Sequence, residues 1–566
     1  MDVVSDRLRE RLVGWLKLLA LVQAVLAIGF SVFGRRLGLL EFQPGGSTFD
    51  SAVRPILLVV FVLGAVVALR WELVGGAVAV FAAAGIAAFA VNQLIAPHAA
   101  LTVAAFAVPG LLWVVVDVIE LDRRFAAVGV VVSVALLAGG YLAGRYGYDR
   151  VWGPTHPASA APVLEPSPTE WVWAGATTAS SFEVRAKIAE PFLEVRLAVS
   201  TSPHFDEVRW FTGEPVLGTR VASFEAAGLE PGTSHHYAVE VDGELDRVRS
   251  GRVETFPEGP ASFTVAFGAC ARVGSNGAVF DAINDLDPLL YGIVGDFHYG
   301  DNDVDELRRY HDVLDLTLTR PGQAALYRST SIAYVWDDHD FGANDATGAS
   351  TARSAAMAAY RQYVPSYELA GPFTAVHQAF TVGRVRFVMT DARAARAGKE
   401  VLDGPSKSML GPEQKAWLKR ELVEASADHE LVVWINPVPW VAEAAPGADH
   451  WGGFAAERRE LADHIAGHEI DNLLMVSGDA HMVAIDDGTN TDYATGGGAS
   501  FPLLHVAALD RPGGIKGGPY SEGAIGDGGQ FGTVEVLDDG ATMEVVLTAF
   551  DWQGEQLLRH RFTVPS

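Results

Sequence analysis

Five short apolar runs in the second half of the chain end in the same kind of residue. "FTVAFGA" runs into Cys270. "LLYGIVG" runs into Asp296, with Tyr299 and Asp301 behind it. "SIAYVW" runs into Asp337, Asp338 and His339, with Asn344 beyond, "RFVMT" into Asp391 and Arg393, and "NLLMVSG" into Asp479 and His481. Runs so short and apolar, alternating with helical stretches such as "GPEQKAWLKRELVEAS", predict a layered α/β domain with strands covered on both faces. Folds of this class gather their chemistry beyond the carboxyl ends of the strands. The donors at these ends are therefore read together, as one site.

The stretch "VWDDHDFGAND" sharpens that reading, because Asp337, Asp338, Asp340 and Asp345 crowd into a few residues directly after an apolar strand. An unpaired buried carboxylate is costly and tends to take up a proton instead. Bound cations keep such a cluster ionised, since the ion is the largest local charge. Asp and Asn oxygens suit hard ions such as calcium, whereas a thiolate and a phenolate suit iron. The mixed set argues for more than one kind of metal. Two or three metals together can activate water and clamp a phosphate during in-line displacement.

Before residue 145 the texture is different. Hydrophobic residues make up 49% of the 566, and their excess is concentrated there. Runs at 13–33, 53–71, 73–94, 99–119 and 125–144 each approach the roughly 20 apolar residues that a bilayer requires. They predict an all-α transmembrane bundle over 1–150. Arg7, Arg9, Arg11 and Lys17 flank the first run and favour a cytoplasmic N-terminus. Five spans from there make this a multi-pass cell-membrane protein with everything after Arg145 extracytoplasmic.

Residues 1–150 carry 12 Lys/Arg and 10 Asp/Glu, so the net charge of −27 belongs to the remainder. That acidic surface repels nucleic acid, and no nucleic-acid partner is expected. The single cysteine, Cys270, cannot form an internal disulfide. Residues 151–170, rich in Pro, Ala and Ser, read as an extended linker. Short alternating stretches over 171–258 predict a small β-sandwich of fibronectin or immunoglobulin type. The layered α/β domain takes 259–566.

Cys270 after "FG", then "GDFHYGD", "WDDHDFGAND", "TDAR", "LGPEQKAWL" and "VSGDAH", resemble in order and approximate spacing the PhoD-type alkaline phosphatases, within the calcineurin-like metallophosphoesterases. The resemblance covers about 262–566, and the sandwich looks like that family's N-terminal module. It implies a phosphoric ester hydrolase holding Fe3+ through Cys270, Asp296, Tyr299 and Asp479 or His481. Asp296 would bridge to Ca2+, completed by Asp338 and Asn344, with Asp337 counted among the metal ligands. His339 would face the phosphate and Arg393 would anchor it. The expected substrate is a phosphoester. A membrane tether extends the range to lipid head groups and envelope polymers, with membrane lipid as a partner. Two other readings stand beside this one: a phospholipase D-like phosphodiesterase on lipid head groups, and a non-enzymatic membrane sensor or scaffold with a vestigial site. The intact donor set argues against the last.

Overall fold

A computed structural model describes residues 2–33, 53–93, 96–120, 123–154, 163–192, 194–272, 277–369, 375–511 and 513–565. The chain divides into two compact units, 1–159 and 160–566. Part of the expected linker, 155–162, lies outside the described residues.

The first unit is helical: Asp2–Phe33, Val53–Ala68, Glu72–Gln93, Ala96–Glu120 and Arg123–Trp152. Glu72–Gln93 packs against Val53–Ala68, Ala96–Glu120 and Arg123–Trp152, with glycines at close approaches. A Cβ on Gly75 would lie 2.0 Å from the Ala68 backbone nitrogen. Lys17 and Glu72 pair at 2.6 Å between two of the helices.

The expectation of a transmembrane bundle is corrected here. Among the described residues no helix is long and apolar enough to cross a membrane. Val53–Ala68 has 16 residues, or about 24 Å at 1.5 Å per residue, against a hydrocarbon core of about 30 Å. Asp2–Phe33 is longer but includes Arg7, Arg9, Glu10, Arg11 and Lys17, and Arg123–Trp152 carries charge at both ends. Glu72–Gln93 draws much of its apolar character from Ala and Gly, which carry little apolar area. The multi-pass placement, and the extracytoplasmic position inferred from an odd number of spans, fall with the bundle.

The second unit is built on two large sheets. At the centre of a ten-stranded sheet, Phe263–Gly268, Leu290–Val294 and Ser331–Val335 run parallel. On one side lie the antiparallel strands Gln530–Asp538, Met543–Asp551 and Gln556–Thr563. On the other, Thr169–Gly175 joins in parallel through Gly175 and Ile332, bringing Ser181–Ile188 and Val221–Ala227 after it. A seven-stranded sheet sets Val385–Met389, Leu431–Asn436, Leu473–Ser477 and Leu503–Val506 in parallel.

The period-2 alternation of a strand explains why these runs are apolar throughout. Val433, Ile435, Leu474 and Val476 face Val265, Phe267 and Ile293 in the core between the sheets. Their neighbours Val432, Trp434 and Met475 pack the other way, against Leu418 and Leu422 of Gly411–Asp428 and Leu461 and Ile465 of Ala455–Gly467. Helices Val279–Asp285, Leu307–Leu318 and Pro321–Ser329 pack on the larger sheet. The layers run helix, sheet, sheet, helix. Over the edge of the larger sheet, Phe182, Val184 and Phe224 meet Leu197, Val199 and Tyr237 of a third, smaller sheet across a separate apolar core.

Candidate metal centre

The parallel strands of both sheets deliver their following loops to one place, and the backbone there is bent to do it. Cys270, Asp296 and Asp479 have φ of 62°, 52° and 70°, a region that non-glycine residues rarely occupy. Such conformations cost about 1–3 kcal/mol each and persist where the surroundings hold them. Gly295, at φ +86°, cannot be replaced without contact, since its Cβ would lie 2.6 Å from that of Asp337. The loop after Leu290–Val294 and the loop after Ser331–Val335 are thus pressed together at their first residues.

Three overlapping donor groups result. Cys270, Asp296 and His481 each offer an atom within 4.8 Å of the others, as do Asp296, Asp338 and His339, and again Asp338, Asp345 and Asp449. Asp296 belongs to the first two and Asp338 to the last two, so the groups form a continuous row. Tyr299 closes one end. Its hydroxyl donates to Asp296 at 2.8 Å and lies 3.0 Å from His481 Nε2, while Cys270 Sγ lies 3.4 Å from Asp296.

Two carboxylate oxygens in this row, Oδ1 of Asp296 and Oδ1 of Asp338, are buried with no hydrogen-bond partner, the second lying 3.7 Å from the Arg393 guanidinium. An orphaned buried acceptor is costly, and a cation would satisfy it. Protonation tells the same story. Burial pushes the Asp296 carboxyl up to about 7, with Asp338, Asp340 and Asp479 adding to the push and His339 opposing it. Burial, helped by Asp296, also lifts the Cys270 thiol and the Tyr299 phenol well above their ordinary values. A multivalent ion reverses each of these shifts, so the donor set fits metal.

His339 stands differently. Burial opposes its charged form, but Asp338, Asp296 and Asp301 outweigh it and raise the imidazolium to about 10. Its Nδ1 lies 2.5 Å from Asp301 and its ring 4.0 Å from that of Tyr299. Asp340, the other neighbour of His339 in sequence, faces elsewhere and accepts from the backbone N–H groups of His298 and Asp337.

Three of the sequence-derived residues sit apart from the donor row. Asp337 is fully buried and caps the short helix Asp338–Phe341, its carboxylate gripped by Arg393. Arg393 is itself wholly buried, bonded to Asp337 and to both oxygens of Asp449 at 3.1 and 2.8 Å. Asn344 is exposed on the turn after that helix, while its neighbour Asp345 joins the row. Asp479 contributes its carbonyl, 3.7 Å from Cys270 Sγ. Asp345 and Asp449 entered no ligand set on sequence grounds. Asp449 lies in "GADHWGGF", well past the end of Leu431–Asn436, where a rule about strand ends does not look.

Residues 292–508 match the family model described as PhoD-like phosphatase. Alkaline phosphatase D from Bacillus subtilis (strain 168) is 26% identical over an alignment covering 45% of this chain and 52% of that protein. The chain thus spans about half the length of that relative. The solved structure of PhoD superposes with a TM-score of 0.57 at 18% identity, covering 72% of this chain and 94% of that one, a likeness of fold. The donor row on the strand ends falls largely within the segment that matches the PhoD-like phosphatase model.

Proposed function

We propose that the chain is a metal-dependent phosphoric ester hydrolase. The observation that carries the reading is the row of shared carboxylates with buried, orphaned oxygens on Asp296 and Asp338. In this reading Cys270, Tyr299, Asp296 and His481 hold ferric iron, the ion suited to a thiolate and a phenolate. Asp338, Asp345 and Asp296 hold calcium, which takes carboxylate oxygens. Bound there, the metals supply activated water and neutralise charge on the phosphoryl oxygens.

The chain's own groups do the rest. His339, oriented by Asp301 and kept cationic by its carboxylate neighbours, donates to the phosphoryl or leaving oxygen. Asp340 fixes the loops of His298 and Asp337 against each other, which holds His339 beside Tyr299. Lipid head groups and envelope polymers lose their particular claim as substrates, because that claim followed from a membrane tether.

The test is hydrolysis of aryl phosphate monoesters and diesters by the purified full chain, before and after chelation, with elemental analysis of the same sample. Turnover that chelation abolishes, with iron and calcium both present, is the expected result. No turnover, or turnover indifferent to chelation, overturns the proposal.

A further inference from the structure

The cation that the family resemblance assigns to phosphate is consumed. Arg393 spends its donors on Asp337 and Asp449, Arg396 also bonds Asp449, and Lys399 pairs with Asp345 at 2.8 Å. Arg511 is buried with its guanidinium 3.7 Å over the Tyr299 ring. Among the described basic residues near the donor row, Arg511 has no side-chain hydrogen bond or ion pair but is held against the Tyr299 ring, and Lys516 has no side-chain hydrogen bond, ion pair or ring contact.

Lys516 sits in the glycine-rich segment Gly513–Pro519, which is stretched between two fixed points. The Gly514 N–H donates to the His481 carbonyl at 3.1 Å, and the Gly518 N–H donates to the Val441 carbonyl at 3.0 Å. Between them the Tyr520 hydroxyl donates to the Lys516 carbonyl at 3.2 Å. A Cβ on Gly513 would lie 1.9 Å from the His481 carbonyl oxygen, and one on Gly517, at φ +70°, would lie 2.3 Å from that of Val441. Only glycine lets the segment press so close to the backbone of a metal-ligand candidate. The lysine carried between these points is exposed, and the charges that act on its ammonium are those of Asp479 first, then Cys270, Asp338 and Asp449. Its ammonium makes no hydrogen bond or ion pair with the acidic row, while the backbone two residues before it is bonded to His481.

We propose that Lys516 is the cation that contacts the substrate's phosphoryl oxygens at this site, in the place that the family resemblance gives to Arg393. The assignment rests on the phosphoester reading above. A compact ammonium on a flexible stem suits a phosphate as a point charge with rotatable donors.

The experiment uses the full chain, with Lys516→Gln and Lys516→Arg, and inorganic phosphate as the probe. Phosphate affinity is read by calorimetry and by inhibition of aryl phosphate hydrolysis, beside metal content and the KM and kcat of each variant. Lys516→Gln should keep its metals and weaken phosphate by about tenfold or more, the scale of a charge-assisted hydrogen bond. KM should rise more than kcat falls, and Lys516→Arg should recover most of the loss. Unchanged phosphate affinity in Lys516→Gln overturns the proposal. Loss of metal together with phosphate also overturns it, since Lys516 would then be a structural counter-charge to Asp479. A wild-type chain with no hydrolysis, but with phosphate binding that Lys516→Gln weakens, would sink the hydrolase reading and leave Lys516 standing.

Discussion

Arg393 and Asp337 form a two-point pair with no exposure to solvent: Nε and Nη2 of the guanidinium meet the two oxygens of the carboxylate. Asp337 in turn caps the helix that carries Asp338 and His339. The pair is therefore the footing of the donor row. Its geometry explains how a carboxylate buried to this degree stays in place, since burial drives its pKa well up and Arg393 opposes that rise.

Removing one partner leaves the other buried and uncompensated. Arg393→Ala should lower the unfolding free energy by about 3–5 kcal/mol, the range for a broken buried ion pair. Urea denaturation measures it. Arg393→Lys cannot span Asp337 and Asp449 together and should fall between. An unchanged midpoint for Arg393→Ala would mean the pair contributes nothing.

His339 is expected to act on the leaving oxygen. His339→Asn should slow hydrolysis of alkyl phosphates by about 10²–10⁴, the usual worth of general-acid help. The deficit should shrink on nitrophenyl phosphate, whose leaving group needs little protonation. Asp301→Asn should reproduce part of the same pattern, because Asp301 orients the ring through Nδ1. Equal losses on good and poor leaving groups would make His339 structural.

Cys270 and Tyr299 give the metal assignment an optical test. If thiolate and phenolate bind ferric iron, the purified protein is coloured by ligand-to-metal charge transfer. Cys270→Ser should shift that band and Cys270→Ala should lose iron and most activity. A colourless, fully active Cys270→Ala protein contradicts the assignment.

How much of this was legible in the sequence depends on distance along the chain. Cys270, Asp296, Asp338 and His481 follow their strands within a few residues, so the apolar runs point to them directly. The strand order does not follow from those runs, because it depends on pairings such as Gly175 with Ile332 that no local pattern encodes. Asp449 and Lys516 reach the site on long loops, and Arg393 is recognisable as basic but not as locked. The apolar character of the N-terminal runs is plain in the sequence, but it does not reveal the short length of Val53–Ala68 as a helix or the slight apolar area of the Ala and Gly in Glu72–Gln93.

His505 yields a prediction about pH. It lies fully buried under the loop that carries Asp479 and His481, with Nε2 2.7 Å from the Ala480 carbonyl and Nδ1 2.8 Å from the Ser477 hydroxyl. A nitrogen facing a carbonyl must carry the proton, so Nε2 donates and Nδ1 accepts from the hydroxyl. The neutral ring satisfies both contacts. Burial therefore lowers its pKa to about 4, the Ala480 bond opposing and Lys516 assisting. In the unfolded chain the same group titrates near about 6.5. Between those values the unfolded state binds the proton and the folded state does not, so stability rises with pH across the window. The contribution is complete above about pH 6.5 and is lost as pH falls to about 4, amounting to at most about 3 kcal/mol. His505→Gln keeps a donor and an acceptor but cannot titrate. Thermal midpoints measured every half unit from pH 4 to 7 should fall more steeply with acid in the wild type than in this variant. Parallel profiles would show that His505 is already protonated in the folded protein.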